Sequence, residues 1–238
     1  MSRKLIFDIE TIGEDFDEMD KATQEALTYW IGRTAKDEKE REALFNDVKN
    51  RLGFSPLTGE IVAIGVLDYE KDKGRVYFQA PGADLKDVEE DDFIFRPMSE
   101  EEMLLNFWQG VSEYDEFISF NGRRFDVPFL MVRSAIYGIK PTKNLMSNRY
   151  LNIQFANAKH VDLYDQLNFY GASSWRGNGL HMWTRAFGIK SPKADGVTGD
   201  DVAGLFSEEK FLEIAKYNVG DLLATKGLYE YWEKYLKF

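Results

Sequence analysis

The sequence predicts an α/β fold in which helices flank a mixed five-stranded sheet. Five short segments are rich in apolar and β-branched residues over lengths typical of strands: 4–10, 59–68, 75–79, 116–120 and 160–163. The second and third segments are separated by a turn at 71–74, which indicates an antiparallel hairpin. The later segments show the spacing of amphipathic helices. Strands that give way to helices along a chain are typical of an α/β plan.

Helix boundaries are indicated by capping residues and glycines. Ser99 followed by Glu102 predicts a capping box and a helix that extends to about Tyr114. Ser207 is expected to cap the last helix in the same way, since apolar residues recur at helical spacing after it. Glycines at 138 and 188 are expected to end two shorter helices, 127–137 and 180–187.

The segment at about 14–55 differs in composition from the rest of the chain. It is dense in acidic and basic residues, with scattered apolar residues such as Trp30, Phe45 and Leu52. This pattern predicts two helices that face solvent and form an insertion after the first strand. We therefore expect one domain over residues 1–238 that carries a charged helical insertion.

Composition limits the classes of function. The chain has 238 residues, 44% of them hydrophobic, which is enough for a sizeable core. It has no cysteine, so disulfide bonds and thiolate chemistry are excluded. No apolar run reaches membrane-spanning length and no signal-peptide pattern is present, so we expect a cytoplasmic protein without a membrane partner. The net charge of −11 disfavours extensive duplex binding.

Two acidic residues lie at the end of the first predicted strand. Asp8 and Glu10 are two residues apart, so their side chains project from the same face of a strand. Neighbouring carboxylates repel each other unless a cation or a proton relieves the repulsion. The pair is therefore either a metal site or two solvated acids at a strand edge.

A second group of polar residues follows the predicted strand at 116–120. Asp126 lies at a strand-to-helix junction, where an acid commonly caps the helix. A helix cap does not explain the neighbouring Asn121, Arg123 and Arg124, which are suited to contacts with phosphate and sugar. The junction is therefore either a substrate-contacting site or a solvated loop with a capping acid.

The last helix carries a third candidate pair. Tyr217 and Asp221 are four residues apart, which places them on one helix face. Asp221 interrupts the apolar stripe of this helix, and a buried acid needs a partner. The pair is either functional or a hydrogen bond inside the core.

The ordered set of motifs resembles the DEDDy 3′→5′ exonucleases of the ribonuclease H-like superfamily. The resemblance is closest to stand-alone relatives of the proofreading domain of family B DNA polymerases, and it spans nearly the whole chain. The matching motifs are Phe7–Thr11, then Asn121, Phe125, Asp126 and Pro128, and finally Tyr217 with Asp221. Lys216 occupies the position of the histidine in the other branch of the superfamily, which favours the tyrosine branch.

This resemblance implies hydrolysis of phosphodiester bonds at the 3′ end of single-stranded nucleic acid, DNA or RNA, with two divalent cations. Asp8 would bridge both ions, Glu10 and Asp221 would complete one site, and Asp126 would hold the other through water. Tyr217 would orient the attacking water or accept its proton. Ligation by oxygen alone favours Mg²⁺ or Mn²⁺.

The candidate substrate-binding residues share polar, cationic or aromatic side chains near these motifs. They are Thr11, Asn121, Arg123, Arg124, Phe125, Trp175 and Arg176. Trp175 and Arg176 belong to a glycine-containing loop that could stack on a base and contact phosphate. Asp162, at the end of a strand-like segment, is either a second acid behind the site or, as the simpler interpretation, a surface cap.

Two other interpretations remain open at this point. A nuclease fold without activity could serve as a binding scaffold, although such proteins usually lose acidic residues of this kind. Asp8-Ile9-Glu10-Thr11 also resembles the nucleophile loop of haloacid-dehalogenase-type phosphatases, with Gly199-Asp200-Asp201 as a late acidic motif. Glu10 is the wrong acid for that loop, and the motifs around Asp126 and Tyr217 would stay unexplained.

Overall fold

The strands of the protein form one mixed sheet. The structure, a computed structural model, describes residues 3–173, 179–191 and 199–237. Within these residues the strands are β1 (Lys4–Gly13), β2 (Gly59–Asp68), β3 (Lys73–Phe78), β4 (Val88–Glu90), β5 (Phe93–Pro97), β6 (Glu116–Ser119) and β7 (Lys159–Asp162). Their order in the sheet is β4-β5-β3-β2-β1-β6-β7. β1 pairs antiparallel with β2 and parallel with β6, so it lies inside the sheet.

The predicted α/β class is confirmed, and the described chain has two strands more than the five expected. All five predicted strands are present, and β2 and β3 form the expected antiparallel pair. The additional strands are β4 and β5. In β5 the side chains of Phe93 and Phe95 alternate into the core, a strand pattern too short to stand out in the sequence. The three residues of β4 are exposed and two of them are acidic, so only its backbone pairing with β5 makes it a strand.

Helices cover both faces of the sheet. Those in the described residues are α1 (Lys21–Thr28), α2 (Ile31–Thr34), α3 (Glu38–Asn50), α4 (Glu100–Val111), α5 (Asp126–Ile136), α6 (Leu163–Leu167), α7 (Leu180–Phe187), α8 (Val202–Ser207) and α9 (Phe211–Tyr235). One core contains residues of α4 and α5, and a second contains residues of α6, α8 and α9. None of the described helices is both long enough and apolar enough to span a bilayer.

Successive side chains of β1 point alternately into these two cores. Leu5, Phe7 and Ile9 pack in the core with α4 and α5, whereas Ile6 packs in the core with α9. Successive side chains of a strand point to opposite faces. Asp8 and Glu10 therefore lie on the face that α9 covers.

The charged segment between β1 and β2 folds back onto the end of β1. It contains α1, α2 and α3, and it ends in a 3-10 turn, Leu52–Phe54. The Thr11 hydroxyl donates to the carbonyl oxygen of Gly53 at 2.7 Å. A β-carbon on Gly53 would lie 2.9 Å from the backbone nitrogen of Gly13, so this close approach requires glycine.

The expected cap at Ser207 is wrong, whereas the one at Ser99 is correct. Ser99 and Glu102 form the predicted capping box. Ser207 instead ends α8, and α9 begins at Phe211 after Lys210, whose side chain makes no capping hydrogen bond. No polar side chain of the described residues caps the start of α9, and its first residue, Phe211, is buried in the core that α9 shares with the sheet.

Candidate active site

Three carboxylates from two elements meet in one cleft. Asp8 and Glu10 project from β1, and α9 crosses the sheet so that Asp221 faces them. Each of the three offers an oxygen within 4.8 Å of the other two. They line a cleft of about 870 Å³ that is open to solvent. Three anionic oxygens at this spacing form a set that a divalent cation can bind.

Burial and mutual repulsion disfavour the ionised forms of these acids. The pKa of Asp8 is raised well above its usual value by burial, then by the charges of Asp126, Asp221 and Glu10. The pKa of Glu10 is likewise raised by burial and by Asp221, against a hydrogen bond from Asn218 that lowers it. A divalent cation would remove this repulsion and offset the loss of hydration. The residues present therefore fit a divalent cation.

Asp126 lies beside this cluster. It is buried, at 3% exposure, and its carboxylate accepts the backbone N–H of Ile9 at 3.2 Å. Burial raises its pKa to about 7, against the backbone hydrogen bonds that lower it. Its oxygens are not among those of Asp8, Glu10 and Asp221 that lie within 4.8 Å of one another. Phe125 occupies the N-cap position of α5, and Asp126 is the first residue of that helix. Asp126 is thus close enough to act on Asp8 electrostatically and is tied to the backbone of β1.

Tyr217 lines the same cleft one helical turn before Asp221. Its side chain is half-buried. Burial is the largest cause that raises its pKa above the usual value, followed by the charges of Asp221, Glu10 and Asp8 and a hydrogen bond to Asp221. The hydroxyl therefore stays protonated at neutral pH.

Asp162 holds the turn that carries Asn121. Its carboxylate accepts the backbone N–H groups of Asn121 at 2.8 Å, Arg123 at 2.9 Å and Tyr164 at 2.9 Å. Asn121 adopts a left-handed conformation, with φ of 63°. Asp162 is 2% exposed, so the interpretation as a surface cap is wrong: it caps α6 from a buried position. Three backbone donors explain why an acid is tolerated there.

The predicted substrate-binding residues divide into three groups. Thr11, Asn121 and Phe125 line the cleft, although the Thr11 hydroxyl already donates to Gly53. Arg123 and Arg124 are not among its described lining residues: Arg123 donates to the Leu145 carbonyl, and Arg124 lies over the ring of Tyr164. Trp175 and Arg176 lie outside the described residues.

Two features of the cleft have no counterpart in the sequence prediction. The segment between β1 and β2 forms part of the cleft wall through Lys49, Asn50, Gly53 and Phe54. Asn218, next to Tyr217, is fully buried and donates to Asp8. The sequence contains one indication that Asn218 has a role. It lies on the same face of α9 as Ile214 and Asp221, and an amide is costly in an apolar stripe.

Comparison with known proteins places the chain in a family. A family model described as "Predicted 3'-5' exonuclease related to the exonuclease domain of PolB" matches residues 58–236. The match includes Asp126, Tyr217 and Asp221 and begins after Asp8 and Glu10. A search of curated proteins finds no match.

The fold has a counterpart among solved structures. The family B DNA polymerase from the hyperthermophilic archaeon Pyrobaculum calidifontis is similar, with a TM-score of 0.59 and 18% sequence identity. The similarity covers 98% of this chain and 25% of the polymerase chain, and it confirms the expected ribonuclease H-like fold. Since the family match spans most of its length, the chain belongs to the family of predicted 3′-5′ exonucleases related to the exonuclease domain of PolB.

Proposed function

We propose that the chain is a metal-dependent 3′→5′ exonuclease that removes nucleotides from the 3′ end of single-stranded nucleic acid, with DNA favoured. The observation that carries the proposal is the cluster of Asp8, Glu10 and Asp221 in an open cleft, with Asp126 beside it. DNA is favoured because the family is defined by its relation to the exonuclease domain of PolB.

The four acids would hold two divalent cations, Mg²⁺ or Mn²⁺, which prefer oxygen ligands. Bound cations of this kind lower the pKa of a water nucleophile and stabilise charge on the attacking and leaving oxygens. The charges of Asp126, Asp221 and Glu10 all act on Asp8, so we assign Asp8 to both ions. Asp126, which is tied to β1 by the Ile9 N–H, would help to hold a cation beside the cluster.

The protein's own residues would orient the reacting groups. Tyr217, whose hydroxyl makes a hydrogen bond to Asp221, would orient the attacking water or accept its proton. Asn121, held in its turn by Asp162, presents an amide to the cleft. Phe125 contributes an aromatic surface to the same wall.

The alternatives are less well supported by these observations. A scaffold without activity has no need to keep four acids at the cost of their mutual repulsion. The phosphatase interpretation gives no role to Asp126, Tyr217 or Asp221, which belong to the same site.

The proposed function predicts hydrolysis that depends on metal. A single-stranded DNA oligonucleotide labelled at its 5′ end should give a ladder of products shortened from the 3′ end in Mg²⁺ or Mn²⁺, and none in EDTA. RNA and duplex DNA of the same sequence, run in parallel, would establish the substrate class. Undiminished degradation in EDTA, or shortening from the 5′ end, would contradict the proposal.

A second prediction concerns Phe54. Its side chain is 57% exposed in the cleft, with its ring centroid 6.2 Å from that of Phe125. An exposed ring beside a single-strand site can stack on a base, which contributes about 1–3 kcal/mol. Phe54→Ala should therefore weaken binding of a single-stranded oligonucleotide by roughly 5- to 150-fold, measured by fluorescence anisotropy.

The matched control for this prediction is Leu57→Ala. Leu57 is 74% exposed, lies three residues further along the chain and is not among the residues that line the cleft. The Leu57→Ala protein should bind the oligonucleotide with the affinity of the wild type. Equal affinities for the wild type and Phe54→Ala would show that Phe54 does not contact the substrate.

A further inference from the structure

Asn218 makes an unusual set of contacts beneath the carboxylate cluster. It is fully buried, at 0% exposure, on the face of α9 that covers β1 and β2. Its Nδ2 lies 2.8 Å from Oδ2 of Asp8 and 3.4 Å from Oε1 of Glu10. An amide nitrogen has two N–H groups, so one side chain donates to both β1 carboxylates.

The other end of the same amide has no hydrogen-bond partner. Oδ1 of Asn218 is buried and accepts no hydrogen bond from the described residues. Leaving a buried acceptor unpaired costs free energy. The opposite orientation would be worse, because it would direct Oδ1 at two carboxylates. The amide is therefore held in place by what it donates.

The neighbouring strand provides the space that this arrangement needs. Gly65 of β2 lies opposite Asp8 in the sheet register. A β-carbon on Gly65 would overlap Oδ1 of Asn218 and would lie 2.9 Å from its Cγ atom. Gly65 has no side chain with which to contact substrate or metal, so its requirement for glycine arises from the packing of Asn218 and of Leu222.

We propose that Asn218 is a positioning residue that holds Asp8 and Glu10 in the arrangement that receives the cation, and that Gly65 is required to accommodate it. A carboxylate has two oxygens, so the one that accepts from Asn218 leaves the other for a metal ion. Hydrogen bonds to metal-binding carboxylates fix their orientation and contribute to affinity for the ion. This inference rests on the proposed function, since it concerns the cation site of that enzyme.

The test measures Mn²⁺ binding without substrate, from the electron paramagnetic resonance signal of the free ion. Asn218→Leu keeps approximately the size of the side chain and removes the donor, so it should raise the Mn²⁺ dissociation constant by about 10- to 100-fold. Gly65→Ala should have a similar effect, because the added β-carbon would displace the amide of Asn218. Hydrolysis by both variants should recover most of the wild-type rate when Mn²⁺ is raised to saturation.

A double variant separates this role from simple packing. Asn218→Ala removes the amide and makes room for a methyl group, so adding Gly65→Ala to it should cost little further affinity. If the two changes instead multiply, Gly65 acts independently of Asn218, for example through Leu222, and its role in accommodating the amide is overturned. Gly110→Ala is the control for the glycine substitution, since a β-carbon there meets nothing within 4 Å. Its Mn²⁺ affinity should equal that of the wild type.

The outcomes distinguish this inference from the proposed function. A wild-type protein that binds no Mn²⁺ and hydrolyses no oligonucleotide would overturn both. Wild-type binding that Asp8→Asn abolishes but Asn218→Leu leaves unchanged would overturn the positioning role alone. If Gly65→Ala fails to fold, as judged by its thermal transition, the result for Asn218→Leu decides the question, since that change introduces no new polar group into the core.

Discussion

Asp8→Ala is expected to reduce hydrolysis of single-stranded DNA by about 10³-fold, equivalent to about 4 kcal/mol of lost transition-state stabilisation. The charges of Asp126, Asp221 and Glu10 all raise the pKa of Asp8, so Asp8 interacts with every other acid of the site. Under the proposed function, its removal would take away a carboxylate that contacts the cations. The measurement is the single-turnover rate at saturating Mg²⁺, compared with the wild type.

The same variant should remain folded, which separates lost catalysis from lost structure. Because the folded-state pKa of Asp8 is raised, the folded protein retains a proton that the unfolded chain releases. The resulting destabilisation is absent below the ordinary pKa of a carboxyl group and grows as pH rises towards the folded-state pKa. Asp8→Ala without metal should therefore have a thermal transition at neutral pH at least as high as that of the wild type.

Metal should reverse this order of stabilities. A cation that binds only the folded state raises the free energy of unfolding with its concentration. The wild type should therefore gain thermal stability in Mg²⁺ or Mn²⁺, and Asp8→Ala should gain much less. Equal stabilisation of both proteins by metal, together with a normal rate in Asp8→Ala, would show that Asp8 is not a ligand.

At Asp126, two substitutions can be compared, because one of them can keep the hydrogen bond from the Ile9 N–H and the other removes it. Asp126→Asn keeps an oxygen that can accept the Ile9 N–H, whereas Asp126→Ala removes that hydrogen bond as well. If Asp126 serves the cation site, both variants should lose activity to a similar extent. If its contribution is structural, Asp126→Asn should retain a near-normal rate and Asp126→Ala should lose thermal stability.

Local rules were sufficient to predict much of the fold and of the carboxylate cluster. The two-residue spacing of Asp8 and Glu10 places them on one face of β1 because strand side chains alternate. The capping box at Ser99 is a local interaction between residues three positions apart, so the sequence reveals it directly. Where the interacting groups are neighbours along the chain, physical rules identify them.

Contacts between distant residues explain what the sequence did not reveal. The Thr11 hydroxyl is directed to Gly53, 42 positions away, and nothing in either local sequence indicates this pairing. Asn218 lies 210 positions from the acid to which it donates. β4 is a strand only because its backbone pairs with β5. Such features depend on how the elements pack and are therefore found only in three dimensions.

Tyr217→Phe should slow hydrolysis by about 10²–10⁴-fold while leaving metal affinity and stability nearly unchanged. The change keeps the ring that packs against the core of α9 and removes only the hydroxyl, which lies among Asp8, Glu10 and Asp221. Burial and these charges keep the hydroxyl protonated at neutral pH, so it can orient a water molecule through its hydrogen bonds. The pH–rate profile of the variant should run parallel to that of the wild type, because Tyr217 does not titrate in the working range.

Asp221→Asn provides the comparison that assigns these roles. It removes a charge from the three-carboxylate set, so it should raise the Mn²⁺ concentration required for half-maximal rate as well as lower the maximum. The single-turnover rate, measured against Mn²⁺ concentration, separates the two effects. A Tyr217→Phe protein that needs far more metal but reaches the wild-type rate at saturation would show that Tyr217 supports the cation site through Asp221. A reduced maximum at an unchanged metal requirement would place its hydroxyl at the reacting water.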